Sequence, residues 1–210
     1  MRNMKVYAYE VQGYFSVNCY FYVDENTGHG FLIDPGAQGE ELAALIRREG
    51  WEIEKILLTH GHFDHIGGIE ALRRELKLPV FIHEAGKAYL EDGFLNLSTP
   101  CGETILVRDA EFFRDGELFT LKGHAQPVLR AIHTPGHTPD STVFFDAESH
   151  VAFVGDTIFK GTVGASHYPG GNARTLAQSI RERVFTLPED TVLYSGHSEP
   201  TTVRAEKNRF

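Results

Sequence analysis

The sequence predicts an α/β protein in which two sheets pack against each other and helices cover the outside. Three observations carry that expectation. Strand-like and amphipathic helical segments alternate; they fall into two β-rich halves, each with helical stretches of its own; and the chemistry-bearing residues recur where strand signals end. A helix buries its apolar stripe against one face of a sheet, and the other face must then find a second sheet. The 210 residues, 41% of them hydrophobic, fit one domain spanning 1–210 with a sizeable core.

Taken in order, residues 6–11 and 16–23 read as strands, and the polar turn Asp24-Glu25-Asn26-Thr27-Gly28 leads to a third at 30–34. Asp34-Pro35-Gly36 stops it. Residues 40–49 form an amphipathic helix with Leu42, Leu45 and Ile46 inward, closed by Gly50. The apolar run 53–58 reads as a buried strand. Beyond it Ile66, Ile69, Leu72 and Leu76 share one helical face, with Glu70, Arg73, Arg74 and Glu75 opposite. A strand at 78–83 and a short helix at 84–91 follow. Gly93, Pro100, Gly102, Gly116 and Gly123 punctuate residues 92–126, where a loop and edge strands around 105 and 118 are expected. Strands resume at 127–133, 141–145 and 150–154, then a helix at 174–185 and a last strand at 191–195.

The net charge of −9 and the scattering of basic residues among acids, as in Leu72-Arg73-Arg74-Glu75, argue against a nucleic-acid partner. No stretch approaches the length of a membrane span and the N-terminus lacks the apolar run of a signal peptide, so no membrane partner and a cytoplasmic location are expected. Cys19 and Cys101 are expected to be reduced and mostly buried, forming neither a disulfide framework nor a cysteine zinc site. Eleven histidines are many for this length.

The heptapeptide Thr59-His60-Gly61-His62-Phe63-Asp64-His65 places three imidazoles and a carboxylate in six consecutive positions, between a strand end and a helix start. Imidazole nitrogen and carboxylate oxygen are ligands of zinc, iron or manganese. Three more candidates stand at strand ends: His137 in Thr134-Pro135-Gly136-His137-Thr138, Asp156 after Gly155, and His197 after Gly196. Glycine before the last two lets the backbone turn tightly. Five histidines and two aspartates exceed one tetrahedral ion but suit two divalent cations about 3.5–4 Å apart with a bridging carboxylate.

With these motifs the sequence resembles the metallo-β-lactamase superfamily, whose signature is His-x-His-x-Asp-His plus separate His, Asp and His ligands. Within it the chain is most similar to short glyoxalase II-like (hydroxyacylglutathione hydrolase-like) enzymes, from Leu32-Ile33-Asp34-Pro35-Gly36 through Gly155-Asp156-Thr157-Ile158-Phe159 to the C-terminal tail. The resemblance implies a four-layer αββα sandwich with the site at one edge of the sheets. It implies that His60, His62 and His137 hold one metal, that Asp64, His65 and His197 hold the second, and that Asp156 bridges. Zinc is the expected metal, with iron or manganese as alternatives. Asp34 would orient the ligand loops by hydrogen bonding. The implied chemistry is hydrolysis of a glutathione thioester or similar small thioester by hydroxide generated at the metals, with Asp64 orienting it or moving its proton. The same signature also admits a persulfide dioxygenase-like enzyme with one iron on two histidines and an aspartate, a lactonase, or a metal-binding domain that only docks a partner.

Two departures bear on substrate. Full-length glyoxalase II enzymes carry a further C-terminal helical domain, and the 13 residues after His197 are expected to leave no room for one. Where relatives show Gly-Lys or Gly-Arg, this chain has Gly164-Ala165-Ser166-His167-Tyr168, so Ala165 replaces a substrate-contacting base; Lys160 and His167 are the candidates to substitute. Asp140, where the family often has Gly, and Ser198 leave every ligand intact. His29, His124, His133 and His150 are expected to be surface or hydrogen-bonded residues, while His83 and His167 are weaker candidates to line the pocket. Gly170-Gly171-Asn172 reads as a turn before the last helix, lacking the spacing of a phosphate loop.

Overall fold

The computed structural model describes residues 2–209. Strands β1 (Met4–Gln12), β2 (Ser16–Asp24) and β3 (His29–Ile33) form an antiparallel meander. Helix α1 (Gly39–Glu49) crosses over, and β4 (Glu52–Leu57) joins parallel to β3. The short α2 (Phe63–Ile66) and α3 (Ile69–Leu76) lead to β5 (Val80–His83), parallel to β4. A 3-10 turn, α4 (Lys87–Glu91) and a long irregular stretch precede β6 (Glu111–Phe113), which completes a sheet in the order β1-β2-β3-β4-β5-β6.

The second sheet starts from β7 (Leu118–Phe119), β8 (Leu129–His133), β9 (Thr142–Asp146) and β10 (Val151–Gly155). A small hairpin of β11 (Ile158–Phe159) and β12 (Thr162–Val163) leads to α5 (Ala173–Ser179), which loosens into a π-helical turn over Ile180–Val184. Strand β13 (Val192–Ser195) pairs parallel to β10, and β14 (Thr201–Thr202) and α6 (Val203–Lys207) end the fold. The order is β14-β13-β10-β9-β8-β7.

The period of two in the strands sorts side chains into layers. In β2, Cys19, Phe21 and Val23 pack with Leu42, Ile46, Ile69 and Leu72 beneath α1 and α3. Tyr20 and Tyr22 point the other way, meeting Phe31, Phe144 and Phe153 between the sheets. In β9, Val143 and Phe145 turn from that interface to join Leu176 and Ile180 beneath α5. The result is the expected αββα sandwich. Truncating fully buried Phe153 to alanine at its centre would cost about 3–5 kcal/mol.

Several boundaries differ from expectation for identifiable reasons. The helix expected through Ile66 to Leu76 is two helices on one buried face. Its break falls at Gly67 and Gly68, where the chain crosses residues 35–37 so closely that a Cβ on Gly68 would lie 2.7 Å from the Pro35 and Ala37 carbonyls. No strand forms at 105; Ile105 is held by the Ser98 hydroxyl and the Val107 amide bonds to Leu90, leaving 111–113 as the sheet edge. The strand expected near 118 is present. The β11–β12 hairpin, β14 and α6 are additional. Cys19 is buried and Cys101 partly so, and neither is in a disulfide.

Candidate metal centre

All seven candidate ligands meet at the edge where β3, β4, β8, β10 and β13 end. His60 follows β4, His62 caps α2, and Asp64 and His65 lie within that helix. His137 sits on the turn after β8, Asp156 directly after β10, and His197 two residues beyond β13. The sheets are stitched together here. The Asn18 amide side chain donates to the Ser195 and Ser198 carbonyls, both at 3.0 Å, its backbone N–H donates to Gly196 at 2.7 Å, and the Tyr20 hydroxyl donates to Ser195 at 2.7 Å. Both expected glycines serve close approach. Gly155 has φ +49°, and a Cβ there would lie 2.2 Å from Thr59 Oγ1; one on Gly196 would lie 2.4 Å from Asp156 Oδ1.

Three groups could each hold a cation: His60, His62 and His137; Asp64, His65 and His197; and His60, His65 and Asp156, which spans the first two. In the first, His62 Nδ1 lies 3.1 Å from His60 Nε2 and 3.0 Å from His137 Nε2, which is 3.2 Å from His60 Nε2. Nitrogens about 2.0–2.1 Å from a tetrahedral cation would lie about 3.3 Å apart. In the second, His197 Nε2 is 3.2 Å from Asp64 Oδ2. Asp156 faces both, with Oδ1 3.4 Å from His65 Nε2 and Oδ2 3.7 Å from His137 Nε2 and 3.5 Å from His197 Nε2.

Distal hydrogen bonds aim four of the five rings. His137 Nδ1 donates to the Ala165 carbonyl at 2.6 Å and His197 Nδ1 to Ser16 at 2.9 Å. His65 Nδ1 donates to Asp34 Oδ2 at 2.9 Å. His60 Nδ1 is 3.2 Å from the Thr59 hydroxyl, which itself donates to Asp34 Oδ2 at 2.6 Å, while the Thr59 amide donates to Oδ1 at 2.8 Å. Asp34 therefore has the orienting role expected of it. With N–H groups committed outward, the inner nitrogens of His60 and His137 present lone pairs toward each other. His65 Nε2 and Asp156 Oδ1 are buried with no hydrogen-bond partner. Buried polar atoms are rarely left so, and the donor set fits divalent metal.

The protonation pattern divides the site. Burial, reinforced by His65 and His137, drives His60 well below the usual imidazole range; burial and His137 bring His62 down to about 3; burial also lowers His137. In the other group burial likewise opposes charge, but carboxylates outweigh it. Asp156, Asp34 and Asp64 hold His65 well above its ordinary value, and Asp156 and Asp64 raise His197 to about 10. Asp64 and Asp156 are lowered despite their burial, chiefly by His65 and His197.

A cleft of about 350 Å³ opens onto the cluster. Asp64, Asp156, Ser16, His62, His137 and His197 line its polar side, and Phe15, Phe63, Leu97, Phe159, Ala165 and Tyr168 line the rest. His83 stays out of it, stacked on His133 with ring centres 3.9 Å apart, and exposed His167 lies beside Tyr168 without lining the cleft. Lys160 is paired with Glu199 at 2.6 Å. His29, His124 and His150 lie against Glu54, Asp24 and Asp190 at 2.9, 3.0 and 2.9 Å, and His133 is hydrogen-bonded to the Pro139 carbonyl, all away from the cluster. Sequence reading missed Thr59 and the aromatic wall. For the wall one signal was available, the adjacent Tyr14 and Phe15 in a hairpin turn, which are 65% and 50% exposed.

Fold and cluster together define a metallo-hydrolase scaffold. The chain belongs to the metallo-beta-lactamase superfamily, whose family model matches residues 13–197. It is 34% identical over 200 residues to the probable metallo-hydrolase YqgX of Bacillus subtilis, covering 94% of this chain and 92% of that one. It is 31% identical over 196 residues to the hydroxyacylglutathione hydrolase GloC of Haemophilus influenzae, covering 92% and 91%. Among solved structures it is similar to the BLEG-1 B3 metallo-beta-lactamase, with TM-score 0.88, 32% identity and coverage of 98% and 96%. It is also similar to TTHA1623 in a di-iron-bound form, with TM-score 0.85, 30% identity and coverage of 97% and 98%. No helix among the described residues is long and apolar enough to cross a membrane.

Proposed function

We propose that the protein is a binuclear metal hydrolase that cleaves a small thioester, glutathione being one candidate carrier thiol. One observation carries this reading: two ligand groups lie side by side with the Asp156 carboxylate facing both. His60, His62 and His137 would hold one cation, Asp64, His65 and His197 the other, and Asp156 would join them. When bound, such a pair supplies hydroxide near neutral pH and polarises the carbonyl under attack. Zinc suits the ligands, as do iron and manganese. Likeness to GloC supports the thioester, and the unpaired Cys19 and Cys101 agree with a reducing, cytoplasmic setting.

The chain's own residues do the positioning. Asp64, on the cleft floor, orients the attacking water and takes its proton. Asp34 and Thr59 hold His65 and His60 in register, and the Ala165 and Ser16 carbonyls hold His137 and His197. The leaving group is a thiol of ordinary pKa about 8.5, so it departs as thiolate with little help from a general acid.

The set His60, His65 and Asp156 favours a second reading, since two histidines and a carboxylate are also the ligands of non-haem iron oxygenases. Elemental analysis of purified protein, run with a thioesterase assay on S-lactoylglutathione and on acyl thioesters of uncharged thiols after each metal is added back, separates the two. About two metals per chain with turnover of any of these supports the hydrolase. One iron per chain, with oxygen consumed on a persulfide substrate and no thioester cleaved, overturns it.

A further inference from the structure

We infer that the substrate's thiol arm is apolar and carries no anionic group, so that the carrier is not glutathione but a neutral, aromatic or aliphatic thiol. The inference rests on the hydrolase reading above and narrows it. The cleft wall opposite the metal ligands is aromatic and aliphatic, and neither lysine nor arginine lines it among the described residues. Ala165 occupies the position where a basic side chain was expected, and its carbonyl is already engaged by His137. Lys160 does not line the cleft, and its ammonium is paired with Glu199 at the surface.

The aromatic rim is organised before any substrate arrives. Tyr14 and Phe15 pack edge to face with ring centres 4.9 Å apart, and both rest on Phe63, at 6.1 and 6.0 Å. Tyr168 stands edge-on to His62 at 5.8 Å and Phe159 to His197 at 6.0 Å, so an aromatic ring flanks a ligand of each group. Tyr14 and Phe15 are well exposed although a few residues away the core is fully closed, which is the arrangement of a surface awaiting an apolar partner.

The neighbouring hollow, about 480 Å³ and sharing Ser16 and His197 with the cleft, adds Glu10, while its Glu199 is paired with Lys160. Glutathione brings two carboxylates and one ammonium. In the cleft its carboxylates would meet aromatic carbon and, among the described residues, no lysine or arginine, losing hydration without gaining a partner. A neutral thiol arm avoids that cost. The reaction itself is balanced by water alone: the acyl C–S bond breaks, a C–O bond to the water oxygen forms, and one water proton ends on the thiol sulfur or in solvent.

The test compares thiols as product ligands of the zinc-loaded protein by calorimetric titration, using glutathione, its diethyl ester and benzyl mercaptan. The ester differs from glutathione only in its masked carboxylates. We expect the ester to bind several-fold tighter than glutathione and benzyl mercaptan tighter still, a spread of about tenfold or more. Phe15→Ser should narrow the benzyl mercaptan advantage over glutathione, and Ala165→Lys should strengthen glutathione relative to its ester. Glutathione binding as tightly as its ester in the unmodified protein overturns the inference. Turnover is read separately. A protein with two metals that cleaves no thioester of any of these thiols defeats the hydrolase reading, whereas the binding order decides the character of the cleft.

Discussion

The two candidate ligand groups stand side by side yet are built on opposite electrostatic plans. His60, His62 and His137 are buried imidazoles that repel protons from one another and lie ready as neutral donors. Asp64, His65 and His197 include a carboxylate and two imidazoles that nearby carboxylates keep protonated, so a cation entering there must displace protons. The buried aspartate near each group repeats the contrast. Asp34, beside His65, accepts from the Thr59 amide, the Thr59 hydroxyl and His65. Asp140, against the glycine between His60 and His62, is fully buried and neither oxygen accepts a well-formed hydrogen bond. The satisfied carboxylate bonds His65 directly and reaches the first group only through Thr59, while an unsatisfied one lies beneath that group.

The largest effect should come from His60, which belongs to the first group and to the spanning one. His60→Ala is expected to abolish thioester turnover and reduce bound metal to well below one equivalent. His197→Ala, which touches only the second group, should leave one metal in place. Metal counts after dialysis of the two variants check this. Equal metal loss from both would mean that the groups do not act as separate sites.

Asp140 offers a test on stability. Burial raises its carboxyl from 3.8 to about 6, and the nearby Thr138 hydroxyl and Gly61 amide offset only part of that rise. Because the folded value lies above the unfolded one, the folded state keeps a proton between about pH 4 and 6 that the unfolded state has released. Stability therefore falls as pH rises through that window, and above it the deficit reaches on the order of 2–3 kcal/mol, from a shift of roughly 2 units at about 1.4 kcal/mol each. Asp140→Asn should raise the melting temperature at pH 8 and change it little at pH 4. His83 tilts the other way: burial and His133 lower it to about 4, so its contribution is lost as pH falls from 6.5 through that value. The difference between variant and unmodified protein cancels the His83 contribution and isolates Asp140. A variant no more stable at pH 8 than at pH 4, relative to the unmodified protein, would show that Asp140 is better satisfied than its surroundings indicate.

What was legible in the sequence is what local chemistry dictates. Alternation in 16–23 separates Phe21 from Tyr22 as it separates the two layers they occupy, and the candidate ligands stood out by type and by their place at strand ends. Features that depend on distant partners were not legible. Gly67 and Gly68 break a helix because the chain at 35–37 presses on them, which no helical periodicity records. The sheet edge lies at 111–113 and not at 105 because Ser98 and Leu90 claim the backbone of the earlier segment. Thr59 looks like any strand-end threonine until Asp34 and His60 are seen on either side of its hydroxyl. Tyr14 and Phe15 acquire meaning only once Phe63, nearly fifty positions later, is beneath them.

Asp34 gives the finest cut between the two plans. Its backbone is left-handed, φ +51°, a conformation that asparagine tolerates, so Asp34→Asn should keep the turn. The amide can accept at one oxygen but must donate from its nitrogen, so either the Thr59 amide, or the Thr59 hydroxyl together with His65 Nδ1, loses its acceptor. With the nitrogen at the Oδ2 position His65 is released, its ring is free to rotate and its inner nitrogen loses its aim. The expected result is about a 10–100-fold weaker second metal, in the range for loss of a residue that orients a ligand, with the first metal held as before. A two-step metal titration followed by calorimetry would show the second step weakened alone. Weakening of both steps together would mean that the Thr59 link to His60 carries as much as the direct bond to His65, and the two groups would then share a single support.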